Sequence, residues 1–212
     1  MTSQLKRISR KELKEAIRLH TLWSEEEEGG VRANLSYTDL TDFDLQGADL
    51  TEASFVGSDL RGAYLTGSRL AGAIFINADL SFIELDGNNL TVASLQGANL
   101  TKARLYSIDL KGADLTGANL SGAKLTGSTL PGTRFVGANL TNVNLICTSF
   151  NFTNFAYATL TGTDFLKGNF YCTDFVGANL ADANLYGATF EGCYFSPGVA
   201  NALHLTKHPL SD

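Results

Sequence analysis

Every fifth residue from Leu35 to Phe195 is Leu or Phe, a run of 33 positions holding 23 Leu and 10 Phe. Two residues before each centre the side chain is usually small, as at Ala33, Ala48, Ala53, Ser58, Ala63, Ser68 and Ala188. One residue before it is often Asp or Asn, and two residues after it is frequently Gly. A period of five fits neither the roughly 3.6-residue period of a helix nor the roughly two-residue period of a strand. A unit repeating this strictly turns a corner each time, sending one large and one small side chain inward.

Sorting the centres by a twenty-residue cycle segregates the aromatic residues. Leu40, Leu60, Leu80, Leu100, Leu120, Leu140, Leu160 and Leu180 form a class without Phe. Another class, from Leu35 through Phe155 and Phe175 to Phe195, takes 6 of the 10 Phe. Like residues stacking on like in successive coils predicts four pentapeptides per coil. With about 4.8 Å between coils, the repeats make about eight coils and a rod roughly 40 Å long. Phe43, Ile83, Ile108 and Val143 are large for the small inward position. Thr133, Thr153 and Thr173 stack on one side, and Asn88 reads as a buried amide with its hydrogen bonds satisfied.

The run Ala113-Asp114-Leu115-Thr116-Gly117-Ala118-Asn119-Leu120 resembles the A(D/N)LXX pattern of the pentapeptide-repeat family, in a cyanobacterial type of member. The resemblance covers residues 33–195. It implies an all-β solenoid, a right-handed quadrilateral β-helix, with non-repeat ends acting as caps. Members that protect gyrase are read as acidic mimics of duplex DNA. The family is abundant in cyanobacteria, where one class affects cell differentiation through protein contacts.

The chain divides into an N-terminal cap (1–32), the solenoid (33–195) and a C-terminal cap and tail (196–212). Residues 9–23 predict an amphipathic helix with a Ser9/Glu12 capping box and Leu13, Ala16, Ile17, His20 and Trp23 on one face. A docking role for this segment is the alternative to capping. Ser196-Pro197 predicts a short helix through Leu205. Open coil ends invite edge-to-edge pairing, which is why solenoids carry caps. The charged N-terminus, the absence of an apolar run of about eighteen residues and 3 cysteines without framework spacing point to a soluble cytoplasmic protein with free thiols.

No His or Trp lies between residues 35 and 195, so the rod offers no nucleophile–His pair and no His-based metal site. His204 and His208 are spaced i, i+4 without a third ligand. Cys147 and Cys172 are expected outward and Cys193 inward. No catalytic residue, cofactor, metal or small-molecule substrate is expected, and the chain reads as a non-enzyme.

Net charge is −6, concentrated toward one end. Asp39, Asp42, Asp44, Asp49, Asp59, Asp79, Glu84 and Asp86 form an acidic patch. Residues 35–90 carry nine acids against two bases, and residues 91–195 six against six. A duplex mimic needs negative potential along its length, and direct nucleic-acid binding needs a basic stripe that is missing. The outward row after one set of centres becomes apolar toward the C-terminus, with Tyr106, Ile146, Leu166 and Tyr186; Phe152 and Tyr171 lie near it. These six residues predict a protein–protein surface, for an unknown protein or a second copy of this chain. A non-catalytic protein–protein interaction scaffold, open to a regulatory role, is the leading reading. A topoisomerase modulator and a self-associating structural rod are the alternatives.

Overall fold

The computed structural model describes residues 5–199. Between Asn34 and Phe195 the chain returns on itself every twenty residues: parallel bridges join Asn34 to Ser54, Asp39 to Asp59, Asp49 to Arg69 and so on to Asp164 with Asn184. Regular strands appear at the two ends of this ladder. Near the start, β1 (Lys6–Arg7) pairs in parallel with β2 (Thr38–Asp39). Near the end, β3 (Asn169–Tyr171) and β4 (Asp174–Phe175) pair in parallel with β5 (Thr189–Glu191) and β6 (Tyr194–Phe195), respectively.

Each corner is a tight turn. The amide two residues before one centre donates to the carbonyl of the preceding centre, as Ala98 does to Leu95 at 3.0 Å. The residue two places after the centre takes a positive φ, for example +66° at Gly97. That is the geometry of a type II turn, and it explains the recurrent glycine. The Asp/Asn position has its own reason: its side-chain oxygen accepts the amide two residues on, as from Thr101 to Asn99 and from Thr116 to Asp114.

Four sides result, centred on Leu40, Leu45, Leu50 and Phe55 and on residues twenty apart from each. Leu40, Leu60, Leu80, Leu100, Leu120 and Leu140 are fully buried in one column. On the side of Phe55, Phe135 stacks on Phe155 at 5.1 Å and Phe155 on Phe175 at 5.5 Å. On the side of Leu50, Phe150 stacks on Phe170 at 4.6 Å and Phe170 on Phe190 at 4.8 Å. Phe165 joins the two columns edge-on, so the C-terminal half has an aromatic core.

The inward polar positions are tied to the ladder. Thr133, Thr153 and Thr173 donate to the carbonyls of Leu110, Leu130 and Phe150 rather than to one another. Asn88 Nδ2 reaches the carbonyls of Leu65 and Ser68, but its Oδ1 is buried without a partner. The amide is thus half satisfied, because its inward-turned oxygen meets the apolar core.

A helix, α1 (Arg10–Ser24), crosses the N-terminal end. Ser9 and Glu12 form a reciprocal capping box. Leu13 and His20 are buried, and Ala16 and Ile17 pack partly against the first coil. Most of the expected C-terminal helix, with His204 and His208, lies outside the described residues.

Candidate functional site

The surface is built from two kinds of corner position. At the residue just after a centre, Tyr106, Ile146 and Leu166 are half-buried, not fully solvent-facing, whereas Tyr171 and Tyr186 in the last coils are exposed. The next residue, in the left-handed conformation, projects outward. Phe152 (63% exposed) and Val92 (66%) occupy it on the corner that follows the Leu50 side. In the same row, Gly112 and Gly132 contribute no side chain. With Thr91, Lys111 and Pro131 they leave an apolar groove of 560 Å³ between Val92 and Phe152.

Phe152 meets Tyr171 edge-on at 5.5 Å and 89°. Tyr186 is 78% exposed on the other corner of the same side, in line with Ile146 and Leu166. The structure therefore gathers the six apolar residues around one side, on its two opposite edges. Between the edges stands a row of short polar residues, Ser149, Asn169 and Thr189. Strands β3 and β5 run along this side, and the stacked Phe150, Phe170 and Phe190 back it from within. The result is a flat, rigid face with aromatic rims.

Sequence reasoning missed Val92, Phe82 and Tyr157, which are all strongly exposed. The signal was a non-glycine at the glycine position: their φ values are +51°, +61° and +59°. Left-handed backbone costs an L-residue about 1–2 kcal/mol, most acutely a β-branched one such as Val92.

The acidic patch is interleaved with arginines. Arg61 pairs with Asp59 at 2.6 Å and reaches Asp79 at 3.7 Å. Arg69 pairs with Asp49, and Arg104 bridges Glu84 and Asp86 at 2.6 Å each. Arg7 lies 4.0 Å from Asp39. Arg61 hydrogen-bonds Asp59 and holds its carboxyl below the usual range. Asp42 and Asp44 instead face Arg10 and Lys14 of α1 across a cleft of 680 Å³, walled by Leu13, Ile17, Phe43 and Tyr64.

The thiols are separate: Cys147 is exposed, Cys172 half-buried and Cys193 buried, its Sγ toward the Phe170 carbonyl. Among the described residues, no three His, Cys, Asp or Glu side chains gather as a metal site, and no helix is long and apolar enough to cross a membrane.

The repeat and its twenty-residue return match the model of pentapeptide repeats in five segments spanning residues 31–196. The chain belongs to the pentapeptide-repeat family. Among solved structures, this pentapeptide-repeat protein is similar to QnrB1, a plasmid-mediated fluoroquinolone resistance protein. The two share 18% identity and a TM-score of 0.52, over 82% of this chain and 97% of that one. At that identity the likeness establishes the fold, a right-handed β-helical solenoid. HetL of the cyanobacterium Nostoc, involved in heterocyst differentiation regulation, matches at 22% identity and a TM-score of 0.42, over 90% of this chain and 98% of its own. A thylakoid-lumen pentapeptide-repeat protein of Arabidopsis thaliana matches at 31% identity and a TM-score of 0.43, over 44% of this chain and 65% of its own. No curated protein matches the chain.

Proposed function

We propose that this pentapeptide-repeat protein is a non-catalytic scaffold that binds a protein partner on the flat C-terminal face between Phe152–Tyr171 and Tyr186. The observation carrying this reading is the placement of apolar side chains at strained, exposed corners. Val92 and Phe152 both hold left-handed backbone where glycine is the low-cost residue, and both project into water. The same left-handed backbone also carries polar residues such as Glu52 and Lys102, so it is the apolar character and exposure of Val92 and Phe152 that support a surface for contact. The groove between them is large enough for several apolar side chains, with Lys111 at its rim. Such a partner would present an apolar anchor to the groove and an aromatic-tolerant flat surface to the face.

In the same proposal, α1 closes the N-terminal edge of about eight coils. The gyrase-modulating reading draws on the shared fold and on net charge. The arginines threaded through the acidic patch weigh against a continuous negative stripe.

The test compares the wild type with a Phe152→Ser, Tyr171→Ser, Tyr186→Ser variant of equal thermal stability. A partner captured from source lysate is purified and rebound to both. Rebinding to the wild type with at least tenfold weaker binding to the variant supports the site. Equal affinity for the two proteins rejects it. Inhibition of gyrase supercoiling by the wild type, unaffected by the variant, would favour the topoisomerase reading instead.

A further inference from the structure

We infer that His20 makes the docking of α1 onto the solenoid acid-sensitive, so that protonation of this one ring weakens the contact between the helix and the first coil. The argument begins with a hydrogen bond. His20 has no solvent exposure, and its Nδ1 accepts the backbone N–H of Ala33, the first inward residue of the ladder, at 3.0 Å. An imidazole nitrogen that accepts an amide proton must be unprotonated. Protonating it sets N–H against N–H in a buried site. His20 Nε2 is also buried and has no partner within hydrogen-bond geometry; the Thr51 backbone is the acceptor nearest to compensating the charged ring.

The surroundings do not rescue the cation. Burial holds the ring below the ordinary histidine range, and the Arg32 guanidinium adds to that. Asp49, the Thr51 backbone and Glu52 act in the opposite direction. Both carboxylates are already engaged, however: Asp49 with Arg69 and Thr51, and Glu52 with Arg32 at 3.9 Å. From α1 itself the neighbour is Trp23, stacked on the imidazole at 5.2 Å. Leu13, Ala16 and Ile17 hold the other part of α1 against the first coil beside the cleft bounded by Arg10 and Lys14, so protonation of His20 acts first on the His20 end of the helix.

The sign follows from linkage. A buried histidine with a lowered pKa binds fewer protons docked than free. Docking is therefore full above the free value of about 6.5 and weakens as pH falls below it, down to the docked value. Each unit between the two values weakens docking tenfold.

The protein carries its own reporter, since Trp23 is its only tryptophan and a stacked imidazolium quenches indole emission. The experiment follows Trp23 fluorescence, hydrogen exchange of Arg10–Ser24 corrected for intrinsic rate, and the His20 ring by NMR between pH 8 and 4.5. The expected result is a His20 midpoint below 6.5. Exchange in α1 should rise as pH falls from about 6.5 toward that midpoint, up to tenfold per pH unit, and level off below it, while residues 100–140 stay protected. In His20→Asn the amide oxygen takes the place of Nδ1 without titrating, and the exchange should lose its pH dependence. An α1 exchange rate that stays flat between about 6.5 and the wild type's His20 midpoint overturns the inference. So does a His20 midpoint at or above 6.5. Should His20→Asn leave α1 undocked at every pH, levelling of the wild type's exchange at its His20 ring midpoint still decides the matter.

Discussion

At the level of single residues, the five-residue unit gives each position a separate task, and substitutions should separate them. Leu120 is fully buried in mid-column. Leu120→Ala should lower stability by about 2–5 kcal/mol in urea unfolding, and a midpoint unchanged from the wild type would contradict its inward role. Thr153 donates to the Leu130 carbonyl at 2.9 Å inside the core. Thr153→Val keeps the shape and removes that bond, for an expected loss of about 1 kcal/mol. The corners should behave in the opposite way. Phe152→Gly and Val92→Gly relieve left-handed backbone, offset by the greater freedom glycine has in the unfolded chain. Their melting temperatures should match or exceed that of the wild type while partner binding falls. A clear loss of melting temperature would mean that these side chains serve the fold instead of the surface.

At the level of elements, α1 and the coil ladder are held by different means. The helix begins with a capping box, and Ser9→Ala should cost it about 1 kcal/mol, read as faster hydrogen exchange in Arg10–Leu13 with the coils unaffected. The coils are held by a parallel amide ladder laced with ion pairs. Asp59, hydrogen-bonded by Arg61, titrates below the usual carboxylate range. Its contribution is complete above that range and fades as pH falls through the lowered value. Because both partners meet water, the effect should be small and salt-sensitive. Arg61→Ala should bring the Asp59 midpoint, followed by NMR, back toward the ordinary carboxylate value. A midpoint that does not move would mean that Arg61 is not the cause.

At the level of the whole molecule, the rod has two unlike ends and unlike halves. Its N-terminal half carries arginine-laced acids around a leucine column. Its C-terminal half carries aromatic rims around a phenylalanine core.

How far this was legible from the chain depends on distance along it. A strict repeat encodes its own inward and outward positions, because each pentapeptide meets the same neighbours as the last. The twenty-residue segregation of Phe then showed how many units make a turn of the coil. Both follow from local periodicity, so the amino-acid sequence by itself determined the solenoid and its core ladder. Exposure at the corners was decided otherwise. Tyr106 and Ile146 read as outward but are half-buried, whereas Val92 and Phe82, at the glycine position, are exposed; the turn's backbone conformation sets that position apart. The pairing of Arg69 with Asp49 and of Arg104 with Glu84 joins residues twenty apart and turns an apparent acidic stripe into a mixed one. The bond from the Ala33 amide to the buried His20 ring is likewise a contact between a helix and the coil end it covers. Such contacts arise from stacking in three dimensions, where neighbours are set by the coil and not by the order of residues, and the tertiary structure alone decided them.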